Sequence, residues 1–513
     1  MMNALSPVRV TARPHNFPVA TGGWNAIDAL DAMEKNEAET LINWFPATTY
    51  LRLRGGSTAH SDTGTAAAVT DLMVYSSGTA DNLLAYSDGE FYDVTSDPSS
   101  SLGPPASPAT QAWSWTNYAT AAGQYLIMVG GAAEVVVYDG ATIASATNTI
   151  GGVPATIVIS AVCAFNQRLY FVEADTMKIW YLPVGQYQGA LTEYDLGPLA
   201  SEGGKIVAIQ TWTRDNASAG ANEMFVAVTD QGEVFIFTGL YPGGVWQIAA
   251  RFTVGKPVAG PLCVTRMGPD LILMCEDGFQ PLGQYLQLGQ SQAQRVALSR
   301  KIGNAVTQAV QSFGAEDGWC ATLFAALNML VFNVPQGGGI YYQYVVNTLT
   351  GAWCQYQGMN GQTWVSMNGA LYFGAADGVV YQAESGTSDN GSDITAEYRG
   401  AYQYIGGEGL IKRVTMARPV FQTTGPLTVS FGVDVDFNNT SLTAPVSSIA
   451  SGALWGSGVW GVSTWGSGLT LQNQWITAGA LGYAMAPHFM LQTGTIQCRL
   501  MNIGMLVERG AFL

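Results

Sequence analysis

Seven stretches of this chain share one grammar. An apolar run meets a turn built from Gly, Asp or Asn, and a second apolar run rich in aromatics follows. They are residues 83–94 (LLAYSDGEFYDV), 125–142, 169–182, 224–237 (MFVAVTDQGEVFIF), 271–282, 329–344 and 371–381 (LYFGAADGVVY). Each reads as a β-hairpin. Asp88-Gly89 and Asp377-Gly378 carry the residues that two-residue turns of type I′ require, because both central positions need positive φ. Successive hairpins lie about 40 to 60 residues apart, near the repeat of a β-propeller blade. The pattern predicts an all-β protein with minor helices, a β-propeller of about seven blades. Neither the Trp-Asp signature of WD40 blades nor a kelch pattern is present, so the prediction rests on spacing, and stacked β-sandwiches are the alternative.

The remainder of the chain sets boundaries on this core. Residues 1–56 precede the first hairpin and read as an N-terminal arm or platform. Within them a short helix is expected near residues 35–44. Residues 57–391 form the propeller region, with an inserted helix near 299–313, where Ile302, Val306, Ala309, Val310 and Phe313 fall on one helical face. The turn-forming run Gly386-Thr387-Ser388-Asp389-Asn390-Gly391 ends it. Long alternating strands from Arg413 onward predict a separate C-terminal antiparallel β-domain over 392–513.

Charge excludes several function classes. Charged residues make up 11% of the chain, against about 25% in ordinary domains. The formal net charge is −16. The densest basic pairs, Arg52 with Arg54 and Lys412 with Arg413, fall short of the clusters that hold a phosphate backbone. The six cysteines, at 163, 263, 275, 320, 354 and 498, are scattered without a C-x-x-C and read as reduced, buried thiols. The polar start MMNALSPVRVTARPHNF lacks the apolar core of a signal peptide. The most apolar stretch, residues 157–165, is too short for a membrane-spanning helix.

Catalytic groupings are missing. His15, His60 and His488 stand far apart with no ligand-spaced partner. No nucleophile elbow, Walker motif or dinucleotide fingerprint occurs. Gly337-Gly338-Gly339 lies in a hairpin turn. The acid pairs Glu316-Asp317 and Asp434 with Asp436 read as solvated turns, and Asp-box-like turns lack the residues that would make a glycosidase. The expectation is a non-enzyme without cofactor or metal.

Between Asp436 and Arg499 there is no Asp, Glu, Lys or Arg. This span holds WGSGVWGVSTWG, with Trp455, Trp460 and Trp465 five apart, and then Trp475. They read either as core aromatics of a Gly-rich meander or as a buried subunit interface, where Trp is favoured and charge depleted.

Several motifs recur in order along the chain. Residues 22–56 open on Gly-Gly, continue through Asn43-Trp44-Phe45-Pro46, and close on Arg52-Leu53-Arg54-Gly55-Gly56. Asn347-Thr348-Leu349-Thr350-Gly351-Ala352-Trp353-Cys354 follows, then Leu371-Tyr372-Phe373-Gly374 with Asp377-Gly378 and Val380-Tyr381, then Thr387-Ser388-Asp389-Asn390-Gly391. Lys412-Arg413, Arg418-Pro419 and Asp434-Val435-Asp436-Phe437 complete the series, with the spaced tryptophans and the ending at 504–513. In this order they resemble the tail hub, or nozzle, proteins of short-tailed bacteriophages (podoviruses), also called packaged-DNA stabilisation or tail tubular proteins. The resemblance covers nearly the whole chain. It departs in the C-terminal meander, where Gly follows Trp455, Trp460 and Trp465 and family members often carry Asp.

The resemblance implies a structural virion protein, made and assembled in the host bacterial cytoplasm and located in the virion tail. It implies a homo-hexamer below the portal and adaptor, the head–tail connector proteins. Such a ring extends the DNA channel, helps retain packaged DNA and anchors tail fibres or spikes. Phage DNA would pass without specific binding, since like charge prevents tight backbone contacts. A receptor- or glycan-binding propeller on the phage tail is the alternative. Under the first reading Trp44 and Phe45 are interface anchors with Arg52 and Arg54 as a polar rim, joined by Trp455, Trp460 and Trp465. Equally, Trp44 and Phe45 could plug one end of their own propeller.

Overall fold

The computed structural model describes residues 12–216, 220–285, 297–447 and 468–509. The chain divides into two compact units. One gathers residues 1–58, 345–358 and 384–513, and the other holds 59–344 with 359–383.

The second unit is a β-propeller. Each of the seven hairpins seen in the sequence forms two neighbouring strands of a sheet, in the middle of it except at 271–282, where the second strand is an edge. The first blade runs Val69–Ser76, Asp81–Ser87, Glu90–Asp93 and Ser100–Gly103, and the second Ser114–Thr120, Gly123–Val129, Val135–Tyr138 and Ile143–Ala146. The third adds two short outer strands to Ile159–Phe165, Arg168–Glu173, Lys178–Tyr181 and Gly189–Asp195. The fourth is Ile206–Asn216, Gly220–Thr229, Glu233–Gly239 and Trp246–Thr253; the fifth is the three-stranded Val264–Met267, Asp270–Cys275 and Gly278–Pro281. The last blade joins Gly361–Met367, Ala370–Ala375 and Val379–Ala383 to Ser57–Asp62, a strand from the opposite end of the unit's sequence. That pairing closes the ring and removes a free edge.

These are six blades. The seventh hairpin lies in the meander Cys320–Phe324, Met329–Pro335 and Tyr341–Asn347, which belongs to a larger sheet and within which the chain leaves this unit. The count therefore differs slightly from the seven estimated by spacing.

Local chemistry explains the turns. Asp88 and Gly89 have φ of 50° and 80°, as a type I′ turn demands. At Asp377-Gly378 only Gly378 has positive φ, and Asp377 accepts a hydrogen bond from the Val379 N–H instead. Asn166-Gln167 and Asn368-Gly369 turn with positive φ at both residues. The helix Gly303–Phe313 stands where the sequence placed it, with Val306, Ala309 and Val310 buried.

The first unit is a two-sheet sandwich. One sheet orders Thr470–Gln472, Lys412–Thr423, Cys498–Arg509, Leu51–Leu53 and Trp44–Pro46, with Arg13–Phe17 and Ile476–Gly482 at its sides. The other orders Trp353–Tyr356, Gly23–Trp24, Glu37–Ile42, Ile394–Gly400, Met485–Thr493 and Val429–Val435. Trp44 sits between them, 6.4 Å from Phe421 and 5.8 Å from Phe489, ring centre to ring centre. Aromatic pairs at such distances add to the apolar burial.

Two sequence expectations are corrected here. The helix near 35–44 is absent. Glu37–Ile42 is a central strand, parallel to Gly23–Trp24 and antiparallel to Ile394–Gly400, and these tertiary pairings override a partly helical pattern. The boundaries at 56 and 391 also shift. Residues 12–56 are no separate arm, since strands among them pair with C-terminal ones, and 345–358 leaves the propeller region to join them.

Candidate functional site

Parts of the ordered motifs, at Asn43, Gly55 and Asp389, meet at one side chain in the sandwich unit. Arg54 ends the strand pair Trp44–Pro46 and Leu51–Leu53, and its side chain is fully buried. A guanidinium has five N–H donors, and here all five are used. Nε donates to Asn43 Oδ1 at 2.9 Å. Nη1 donates to Asp389 Oδ1 and to the Gly55 carbonyl, both at 2.8 Å. Nη2 donates to Asp389 Oδ2 and to the Gln357 carbonyl. Tyr356 lies under the guanidinium, 5.9 Å from its ring centre. The Asp389 pair is bidentate, the geometry that favours Arg over Lys.

Asn43 makes the second half of this node. It sits at φ 62°, where the chain crosses from one sheet to the other. Its Oδ1 also accepts from the Gln357 N–H, and its Nδ2 donates to the Thr395 carbonyl at 2.7 Å. Asn347 Nδ2 donates to the Pro46 carbonyl at 2.8 Å. Beside it, Arg52 pairs with Glu384 at 2.7 Å and lies over Phe45. Asn-Trp-Phe-Pro, Arg-Leu-Arg, the Asn347 segment and the Asp389 turn thus meet at one place.

The flanking glycines follow from the same packing. A Cβ on Gly56 would stand 2.0 Å from the Ser388 carbonyl oxygen, and one on Gly23, at φ 87°, would stand 2.5 Å from the Trp353 nitrogen. No side chain fits at either position.

The structure therefore places three of the predicted interface residues, Trp44, Phe45 and Arg54, inside the chain, and leaves the Arg52 side chain 24% exposed. Trp44 is fully buried and Phe45 nearly so, while Arg52 and Arg54 are held by Glu384 and Asp389. Trp44 and Phe45 are core residues of the sandwich rather than a propeller plug. Trp455, Trp460 and Trp465 lie outside the described residues.

The sequence also read Asp434 as part of a solvated turn, yet it is buried. His488, fully buried, faces Glu397 through Nε2 at 3.0 Å and Asp434 through Nδ1 at 3.3 Å. Arg399 Nε donates to the same Asp434 oxygen at 2.8 Å. The hydrogen bond from His488, against the opposing effect of burial, holds the Glu397 carboxyl below its usual range. The cluster spans three adjacent strands, so its members are 89 and 91 residues apart and no local spacing reveals it.

In the propeller unit the inner strands line an open cavity of about 390 Å³. Hydroxyl and amide side chains clasp neighbouring strands around it. Thr363 Oγ1 accepts from the Leu72 N–H, Asn117 Nδ2 donates to the Val74 carbonyl, and Ser114 Oγ accepts from the Val162 N–H. Thr211, Thr265 and Thr322 donate to the Ala164, Ala321 and Trp364 carbonyls. Arg266 Nη2 donates to the Thr211 carbonyl at 2.7 Å. These hydroxyls are committed to backbone, which ties blade to blade.

Asp71 is a buried carboxyl of this ring. Its Oδ1 accepts from the Trp113 N–H and its Oδ2 from the Thr70 hydroxyl, both at 2.9 Å. Burial nevertheless pushes its carboxyl up to about 6. Cys163 and Cys320 also line the cavity, and burial pushes both thiols up to about 12, so they remain protonated and unreactive near neutrality. All six cysteines are buried and free. Among the described residues, no group of three His, Cys, Asp or Glu is placed to hold a metal ion, and no helix is long and apolar enough to cross a membrane.

No family model matches the chain, and no curated protein matches it. Solved structures similar in fold include Sqt1 of Saccharomyces cerevisiae, at 10% identity and a TM-score of 0.40, covering 67% of this chain and 96% of that one. Raptor of Chaetomium thermophilum is similar at 10% identity and a TM-score of 0.39, covering 64% of this chain and 29% of its own.

Proposed function

We propose that this chain is a structural virion protein, the tail nozzle or hub of a short-tailed bacteriophage, and that it catalyses no reaction. The observation that carries the reading is the convergence at Arg54. Motifs up to 335 residues apart, which together resemble the nozzle family, contact one guanidinium. Such residues hold one folded unit together, which fits the structural part that the resemblance implies. In this reading six copies form a ring under the portal and adaptor proteins, extend the DNA channel, and anchor fibres or spikes.

The propeller cavity suits a small molecule by volume, not a duplex. In this reading the DNA path runs between copies, on the symmetry axis of the ring. Six copies at −16 bring 6 × −16 = −96 formal charges to the assembly. Like charge facing the channel lets DNA slide, because tight backbone contacts need Lys and Arg.

Two measurements on the purified protein test this. Sedimentation should give a hexamer, and duplex DNA should show no salt-sensitive binding to it. A stable monomer, or a binding constant that falls steeply with salt, overturns the proposal. A glycan array separates the alternative: specific capture of one glycan by a trimer or monomer would favour a receptor-binding propeller.

A further inference from the structure

Neighbouring blades are tied by side chains that accept a backbone N–H from the next blade. Thr363 Oγ1 accepts from Leu72, Ser114 Oγ from Val162, and Asn117 Oδ1 from Ser76. Asp71 Oδ1 makes the same kind of tie to the Trp113 N–H. The other three use neutral side chains, so the tie itself needs no charge. An acid in this place costs more than an amide, because burial disfavours its ionised form. Burial pushes the Asp71 carboxyl up to about 6, which still leaves it ionised at neutral pH.

This carboxylate lacks a counter-ion. Two cavities adjoin it, one of about 390 Å³ and one of about 420 Å³, which share Asp71, Leu262, Cys320 and Thr363 in their walls. Among the described residues lining them, Arg266 is the one base, and its Nη2 is given to the Thr211 carbonyl at 2.7 Å. The charge that acts on Asp71 is a second acid, Asp317, which raises its carboxyl further. The Trp113 N–H and the Thr70 hydroxyl take one position on each Asp71 oxygen, out of about four lone-pair positions that a carboxylate offers. Each oxygen can therefore accept from one more donor.

The larger cavity defines the guest. Asp71 and Asp317 line it, with no base among the described residues, so it attracts positive charge. Tyr86, Leu262 and Trp319 give the same wall apolar and aromatic surface, which suits a carbon body bearing a cation. A metal ion fits poorly. No three His, Cys, Asp or Glu are grouped among the described residues, and a hard divalent cation takes about six to eight oxygens. An anion would face two carboxylates. We infer that this cavity binds a small organic cation, an alkylammonium, with Asp71 as its counter-ion.

The inference goes beyond the nozzle reading and does not depend on the number of copies. It also fixes how binding responds to pH. Tyr86, Cys163 and Cys320, the phenol and thiols lining the two cavities, are all pushed up by burial and stay neutral near neutrality. Asp71 and the exposed Asp317 are the acids that the cation meets. A proton on Asp71 displaces the cation, so affinity falls as pH drops through 6.

The test is equilibrium dialysis of labelled n-butylammonium against the full chain and against Asp71→Asn, which keeps an acceptor for the Trp113 N–H. The wild type should hold one probe per chain at pH 7.5, and Asp71→Asn, folded by its thermal melt, should bind about tenfold or more weakly. Lowering the pH from 7.5 to 5 should weaken wild-type binding about tenfold and leave the residual binding of the variant nearly unchanged. Equal binding by wild type and folded variant, as diffuse attraction to a chain of −16 would give, overturns the inference. So does the absence of binding, displacement of the probe by equimolar n-butanol, or displacement by equimolar Mg²⁺, which would make the site one for an inorganic ion. Should Asp71→Asn fail to fold, the pH arm on the wild type decides: an affinity unchanged at pH 5 overturns the inference.

Discussion

Arg54→Ala is the perturbation that most sharply separates a structural keystone from an incidental ion pair. The substitution removes five donors at once. It strands the Asp389 carboxylate and leaves the Gln357 and Gly55 carbonyls and Asn43 Oδ1 short of a partner. The Arg54 side chain is fully buried and that of Asp389 is 14% exposed, so solvent compensates little. Breaking a buried pair from one side costs about 3–5 kcal/mol, a large share of the ~5–15 kcal/mol that holds a domain together. Arg54→Lys should recover only part of the loss, because a point charge cannot reproduce the bidentate contact. Because a chain of two units need not unfold in one step, the assay must be local. Hydrogen exchange on Glu37–Ile42, Trp353–Tyr356 and Ile394–Gly400 should accelerate by two to three orders of magnitude at about 1.4 kcal/mol per tenfold, while exchange in the propeller blades stays unchanged. Adding Asp389→Ala should cost less than its single effect, since the stranded charge is then gone. A loss below about 1 kcal/mol in Arg54→Ala, within the range of surface pairs, would refute the reasoning.

Two further predictions concern single sites. Asp71 has a folded-state value near 6, raised from an ordinary 3.8, so its charged form is disfavoured in the fold. Its penalty is present above pH 6 and fades as pH falls through 6 toward 4. Asp71→Asn, which preserves the shape, should therefore be the more stable protein at pH 8 by up to ~3 kcal/mol, with the gap closing at pH 4, as read by denaturant melts at each pH. A gap independent of pH would refute it. Gly56→Ala drives a Cβ onto the Ser388 carbonyl oxygen and should destabilise the sandwich unit by about 1–3 kcal/mol or more; an unchanged thermal melt would show that the close approach is not required.

The propeller was legible because its signal is local. Each hairpin carries its own apolar runs and turn residues within about fifteen positions, and type I′ chemistry at Asp88-Gly89 is written in two residues. The C-terminal antiparallel strands are legible from their alternation, but their completion into a sandwich is not, because its strands come from three distant stretches. No periodicity within residues 22–56 shows that Glu37–Ile42 pairs with Ile394–Gly400, so a partly helical pattern suggested a helix that tertiary pairing excludes. The same holds for function-bearing residues. Asn43, Arg54 and Asp389 stood out as motif letters, but only the fold shows that they touch. Reading Trp44 and Phe45 as exposed anchors failed because an aromatic-rich motif looks alike in a core and at an interface. The contact of His488 with Asp434 leaves no local trace, since 54 residues of chain separate two groups 3.3 Å apart.

The most direct test of the central claim is an electron cryomicroscopy map of the purified, assembled protein. The account predicts a closed ring of six copies whose symmetry axis carries an open channel wide enough for duplex DNA, with no propeller axis coinciding with it. A monomer, a trimer, or a ring whose centre is filled would contradict it.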